Sequence, residues 1–174
     1  EVVKRLKALK PDILIEFRQP YVGPSIRRFG NMLRATDCPL SMVENRTRIA
    51  RLRLTSGKTA VHSDMLEWRN DETAESAARC ILNSIFGTVQ YSMMLRRLPE
   101  SHLRMLRHWI AFTKAHEGAL LHGTLVPHHA ERDYSVVEGA DAKERIVLVS
   151  NAGELVELAP DRPTYLLNNT GAKG

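Results

Sequence analysis

The chain has 174 residues, of which 43% are hydrophobic and 26% charged, and its formal net charge is +5. This balance is typical of a soluble globular protein and excludes an intrinsically disordered chain. The basic residues alternate with acidic and apolar ones and form no tract, so we expect no nucleic-acid partner. No apolar run approaches the ~20 residues of a membrane span, so we expect no membrane partner. Two cysteines outside any CxxC pair favour a cytoplasmic location.

Alternating helices and strands are predicted over the first two-thirds of the chain. Apolar residues at helical spacing predict a first helix that ends before Pro11. Continuous apolar runs predict buried parallel strands, and amphipathic stripes predict the helices between them. Asn70 or Asp71 is expected to cap the clearest of these helices. The predicted strands cover 13–17, 30–36, 59–65 and 88–95, and the predicted later helices cover 42–54, 74–85 and a segment from Pro99.

These βαβ units predict an α/β fold with a parallel sheet. Four such strands correspond to half of an eight-stranded barrel. We therefore predict that residues 1–116 form the C-terminal half of a catalytic (β/α)8 barrel.

Turn-forming residues become frequent after about residue 118. Gly, Asn, Asp and Pro separate the short strand-like runs, which is typical of antiparallel hairpins, and 151–153 is a favourable hairpin turn. We predict that residues 117–174 begin an antiparallel β-sandwich domain with too few strands to close. The chain is accordingly expected to be a piece of a longer protein. The strand-like runs cover 134–138, 145–150, 154–158 and 164–167.

Charged residues at the ends of the predicted strands are the candidates for chemistry. Arg18 follows the first apolar strand, Arg34 lies within the second, and Asp37 ends the second just before a Cys-Pro pair. Asp64 ends the third strand after a His-Ser pair. In a barrel, catalytic groups project from the C-terminal ends of the strands, where a carboxylate can act as acid and base. For both aspartates the alternative of a turn, cap or loop brace stays open.

Other potential functional groups have simpler interpretations. Trp68 is either a sugar-stacking platform or a packing residue, and Cys38 lacks a histidine placed to activate it. His128 and His129 have no further ligands at metal spacing, which favours a solvated turn. The sequence contains neither GxxxxGK[ST] nor GxGxxG. No metal and no organic cofactor is expected.

Three segments together resemble glycoside hydrolase family 36, the α-galactosidases. They are FRQPYVGPSIRRFGNMLRATDCP from Phe17, LRLTSGKTAVHSDMLEW from Leu52 and SIFGTVQYSMMLRRLPESH from Ser84. The resemblance covers nearly the whole chain and implies retaining hydrolysis of terminal α-linked galactose. It implies that Asp37 is the general acid/base and that Arg18 and Arg34 contact the sugar. The family's nucleophile lies in a Lys-Trp-Asp motif that this chain lacks, so the chain by itself is expected to be inactive.

Two alternatives stay open at this point. Some members of the family transfer galactose between sugars rather than to water, and the sequence does not separate these two outcomes. The chain is alternatively a non-catalytic carbohydrate-binding piece. The sequence also leaves open the natural galactoside, its linkage, and whether the full-length protein forms a homo-oligomer.

Overall fold

Two four-stranded sheets organise the chain in the computed structural model, which describes residues 1–18, 23–35, 37, 41–158 and 161–172. Every pairing in the first sheet is parallel, and the second sheet contains both antiparallel and parallel pairs. The predicted α/β class is therefore confirmed.

The first sheet has its strands in chain order, each pairing with the next. Its elements are α1 (Val2–Leu9), β1 (Glu16–Phe17), β2 (Met32–Arg34), α2 (Met42–Ser56), β3 (Ala60–Leu66), α3 (Ala74–Leu82), β4 (Thr88–Tyr91) and α4 (Glu100–Ala115). Helices α2 and α3 connect successive parallel strands, as such crossovers require. Strands β1, β2 and β4 are shorter than predicted, and Leu95–Arg97 forms a 3-10 turn beyond the end of β4.

Helix α3 begins at a threonine cap. Thr73 Oγ accepts a hydrogen bond from Ser76 N (3.1 Å), which satisfies a backbone donor in the first turn of the helix. The expected cap at Asn70 or Asp71 is therefore wrong. The Asp71 carboxylate instead accepts two hydrogen bonds from Arg69, at 2.6 and 2.9 Å.

The second sheet contains β5 (Thr124–His128), β6 (Val136–Ala140), β7 (Arg145–Val149) and β8 (Thr164–Asn168). The first two pairings are antiparallel, but β8 runs parallel to β7, which differs from the purely antiparallel pairing predicted. The strand predicted at 154–158 is wrong, since this segment is irregular and Leu155 is 95% exposed. Strand β5 lies where the sequence predicts only turns.

One buried apolar cluster joins the two sheets. It includes Ile49 of α2, Val61 of β3 and Leu148 of β7, each at most 4% exposed. Burying a side chain of this size stabilises a fold by about 1.5–3 kcal/mol, so each sheet depends on the other for part of its core. Gly139 permits the close approach, because a Cβ there would lie 2.6 Å from the carbonyl oxygen of Ala119.

A π-helical turn at Gly118–His122 carries the chain from the first region to the second. Beside this turn, His116 Nδ1 lies within hydrogen-bonding distance of Glu144 Oε1 (2.8 Å), which links the end of α4 to the β6–β7 turn. The domain boundary between residues 116 and 117 stays a prediction, since the shared core extends across it. In the described parts of the chain, no helix has the length and apolar character needed to cross a membrane.

Candidate functional site

The charged side chains near the ends of β1, β2 and β3 gather at one edge of the parallel sheet. Arg34 is the last residue of β2, and its register partner in β3 is His62. Asp64 follows two residues later in β3, and Asp37 lies three residues beyond β2. The predicted site residues Arg34, Asp37 and Asp64 are therefore close together, as expected for neighbouring parallel strands.

Arg34 joins the two aspartates. Its Nη1 donates hydrogen bonds to Asp37 Oδ1 (3.0 Å) and to Asp64 Oδ2 (3.1 Å), so the two carboxylates are separated by no more than the sum of these distances. The side chains of Arg34 and Asp64 are 8% and 7% exposed, whereas Asp37 is 74% exposed. A buried ion pair thus holds one oxygen of a carboxylate that otherwise faces solvent.

The backbone at Asp64 is strained. Its φ is 64°, in the left-handed region that non-glycine residues rarely adopt, and the β3–β4 register shifts between His62 and Met65. Ser63 stabilises this irregularity, because its Oγ donates to the carbonyl oxygen of Asp64 (2.7 Å) and accepts from Gln90 N (3.1 Å). Such strain persists where the surrounding structure enforces it, and it concentrates at functional sites.

His62 lies behind the ion pair and is 3% exposed. Its Nδ1 accepts a hydrogen bond from Asp64 N (3.2 Å), so the neutral ring carries its proton on Nε2. Nε2 lies 3.3 Å from Glu16 Oε2, off the direction of a hydrogen bond. Burial lowers the pKa of His62, the carboxylates of Glu16 and Asp64 act in the opposite direction, and the positive charge of Arg34 adds to the lowering.

Arg18 belongs to the same group of charges through Glu16. Its Nε lies 3.1 Å from Glu16 Oε1, and its side chain is 64% exposed. The polar groups therefore form one chain of contacts along the sheet edge, from Arg18 through Glu16 and His62 to Asp64. Glu16 is not among the residues predicted for the site, although a carboxylate inside the apolar run 13–17 is an available signal for a polar site.

The remaining candidates have structural contacts. Trp68 donates from Nε1 to His102 Nδ1 (3.1 Å) and packs against the apolar cluster between α3 and α4. His128 Nε2 lies 3.0 Å from Glu138 Oε1. Among the described residues, no group of three His, Cys, Asp or Glu side chains is arranged to hold a metal ion. Cys38 lies outside the described residues.

The edge of the sheet therefore presents an exposed carboxylate, a buried guanidinium and a buried neutral imidazole within one connected network. Such a set can transfer a proton and can bind hydroxyl groups of a polar ligand. No family model, curated protein or solved structure matches this chain. The geometry of this sheet edge and the motifs of the sequence are therefore the basis for assigning a function.

Proposed function

We propose that this chain supplies the acid/base half of the active site of a retaining α-galactosidase, with Asp37 as the general acid/base. The observation that carries the proposal is the exposed Asp37 carboxylate held by Arg34 at the C-terminal edge of a parallel sheet. Enzymes with the predicted barrel have their active sites at this edge. The resemblance of the motifs around Asp37 to the α-galactosidase family supplies the substrate class.

The proposed reaction assigns two successive roles to Asp37. It first donates a proton to the glycosidic oxygen as the bond to galactose breaks, and it then accepts a proton from the water that attacks the glycosyl-enzyme. Its 74% exposure suits both roles, because a leaving group and a water molecule must reach the same carboxyl group. The nucleophile must lie about 5–5.5 Å away and would come from another part of the full-length protein.

Arg34, Asp64 and Arg18 are proposed to bind the sugar. Arg34 and Asp64 form a buried pair next to Asp37, so their orientation is fixed before a ligand arrives. Preorganised donors and acceptors of this kind favour binding because little side-chain entropy is lost. Arg18 is more exposed and lies at the outer end of the network, where it would contact a more distant hydroxyl.

The test compares two α-galactosides in the full-length protein, one with a poor leaving group and one with a good leaving group. In Asp37→Ala, kcat/KM should fall by about 10²–10⁴ for the poor leaving group, because its departure needs a proton, and much less for the good one. Azide should restore turnover with the good leaving group by replacing the water that Asp37 activates. Asp12→Ala is the matched control, since Asp12 is an exposed carboxylate near α1.

Three outcomes would contradict the proposal. Equal losses for both substrates, or no loss for either, would make Asp37 a structural residue. Ligand binding without any turnover in the full-length protein would favour the carbohydrate-binding alternative. Hydrolysis and galactosyl transfer would use Asp37 in the same way, since they differ only in whether water or a sugar accepts the galactosyl group. Product analysis with an added sugar acceptor distinguishes the two reactions.

A further inference from the structure

A second cleft lies at the opposite edge of the parallel sheet. The residues that line it precede β2 and β3, whereas the candidate site is formed at the other ends of these strands. At about 3.3 Å per residue, the five residues from Thr59 to Asp64 separate the cleft from the buried aspartate of the candidate site by roughly 16 Å. The cleft has a volume of about 490 Å³ and is lined by Lys7, Arg27, Arg28, Gly30, Asn31, Ser56, Lys58 and Thr59.

Positive charge dominates this cleft. Lys7 comes from α1, Arg28 from the short 3-10 helix Pro24–Arg28, and Lys58 from the turn before β3, and all three are exposed. The described lining residues include no carboxylate. A concave surface lined by positive charges raises the local concentration of anions. It also offers each anion several charge-assisted hydrogen-bond donors.

The cleft also contains a hydroxyl group without a partner. Ser56, the last residue of α2, is 1% exposed, and its Oγ has no hydrogen-bond partner among the described residues. A buried polar group left in this state costs about 1–3 kcal/mol. An oxyanion in the cleft would accept a hydrogen bond from this hydroxyl, and this observation is independent of the charges around it.

Arg27 has a separate structural role at the end of α2. The helix ends at Gly57, which has a φ of 59°, and a Cβ at this position would collide with the Arg27 guanidinium. A cation at the C-terminal end of a helix is stabilised by the helix carbonyl groups. Arg27 is therefore assigned to the helix end, and Lys7, Arg28 and Lys58 remain to face a ligand. The Arg28 guanidinium also lies over the Phe29 ring, 5.0 Å from its centroid.

We propose that this cleft binds a phosphate-type dianion through Lys7, Arg28, Lys58 and the Ser56 hydroxyl. A tetrahedral dianion supplies the two charges and the several acceptor oxygens that these four groups can use at once. The site lies at the other end of the strands from Asp37, so it does not depend on the proposed α-galactosidase function.

The experiment titrates the 15N-labelled chain with inorganic phosphate at constant ionic strength and follows the amide resonances. Saturable shifts are expected at Ser56 and Lys58. Arg28→Ala combined with Lys58→Ala should weaken phosphate binding by about tenfold or more. Ser56→Ala should weaken it by about threefold without lowering the melting temperature, since the variant removes a hydroxyl that has no partner.

The matched control removes two positive charges elsewhere, with Arg104→Ala and Lys114→Ala on the exposed face of α4. Shifts that do not saturate, or an equal loss of affinity in this control, would show general charge screening and overturn the proposal. An Arg28→Ala and Lys58→Ala variant that loses stability but keeps its phosphate affinity would also overturn it, because the cations would then serve only the helix end. Phenyl phosphate distinguishes the two sources of the dianion: tighter binding than inorganic phosphate indicates a phosphate monoester, and weaker binding indicates the free ion.

Discussion

The two sheets of the protein differ in what they bury. In the second sheet, Val137, Ile146 and Leu148 form an apolar strip in which each residue is at most 1% exposed. In the first sheet, Val61 of β3 belongs to the same cluster, but His62 and Asp64 of β3 are also buried, at most 5% exposed. Desolvating an ionic group costs several kcal/mol, so stability alone does not explain these residues. These buried charges are the reason for placing the proposed site in the first sheet, while the second sheet completes the core that both share.

The backbone shows the same contrast. Each pairing in the second sheet continues in register over five residues. In the first sheet, the β3–β4 register is interrupted, and Asp64 at this interruption has a positive φ. A strained non-glycine residue costs about 1–3 kcal/mol. Positive φ angles also occur at His129, Asp133 and Tyr134 in the β5–β6 connection, so the contrast concerns the strands themselves: the second sheet pairs without interruption, and the first is interrupted at a buried charged residue.

The largest expected effect is on the stability of the whole chain when the core residues of the second sheet are truncated. Leu148→Ala should lower the free energy of unfolding by about 4 kcal/mol, because it leaves a cavity in the cluster that both sheets share. Urea unfolding measures the change, and a single transition should include both regions. Leu166→Ala, at a 57% exposed position of β8, should change stability by less than about 0.5 kcal/mol. Unfolding of the second sheet alone would show that the two regions are independent.

The next largest effect is expected on removing the buried guanidinium of the first sheet. Arg34→Met should lower the free energy of unfolding by about 3 kcal/mol, because it leaves the Asp64 carboxylate buried without its guanidinium. Adding Asp64→Asn to this variant should restore part of the loss, which a double-mutant cycle in urea would measure.

Arg48→Met is the matched control for this cycle. Arg48 forms an exposed ion pair with Glu44 one helical turn away, and such pairs contribute about 0.3–0.5 kcal/mol. If Arg34→Met costs no more than Arg48→Met, the Arg34–Asp64 pair behaves like a surface ion pair and the contrast between the sheets is lost.

The regular elements could be predicted from the sequence where one periodicity dominates. Helix α3 has an unbroken apolar stripe, and the order of the strands of the first sheet follows from the βαβ pattern. Strand β5 could not be predicted, because Pro127 lies within it and proline is normally excluded from the interior of a sheet. The structure resolves this conflict by placing β5 at the edge of the second sheet. The parallel β7–β8 pair is a non-local contact, which local propensities do not specify.

The candidate site could be predicted in part. Arg34, Asp37 and Asp64, chosen because they lie at the ends of predicted strands, are joined by hydrogen bonds in the structure, and their function stays a prediction. The rule that strand ends carry the functional groups does not identify the contact between Glu16 and His62. Their strands, β1 and β3, lie more than forty residues apart in the chain and on either side of β2 in the sheet, so this contact is a property of the tertiary structure. The rule also gives no sign that Asp64 adopts a positive φ, since aspartate at a strand end is compatible with several backbone conformations.

The smallest expected effect is a dependence of stability on pH that originates in the first sheet. The unfolded chain protonates His62 near pH 6.5, whereas burial lowers the pKa of the folded form, so the unfolded state takes up the proton first as the pH falls. Stability should therefore decrease from about pH 7 downwards, by less than about 1.4 kcal/mol per pH unit from this residue. The loss should end once the pH falls below the lowered pKa of the folded form.

In urea unfolding between pH 7.5 and 5, His62→Gln should show a smaller decrease in stability than the wild type, and His108→Gln, at an exposed position on α4, should follow the wild type. Parallel curves for His62→Gln and the wild type would mean that Glu16 and Asp64 offset the burial of His62, and the charged edge would then contribute no pH dependence of its own.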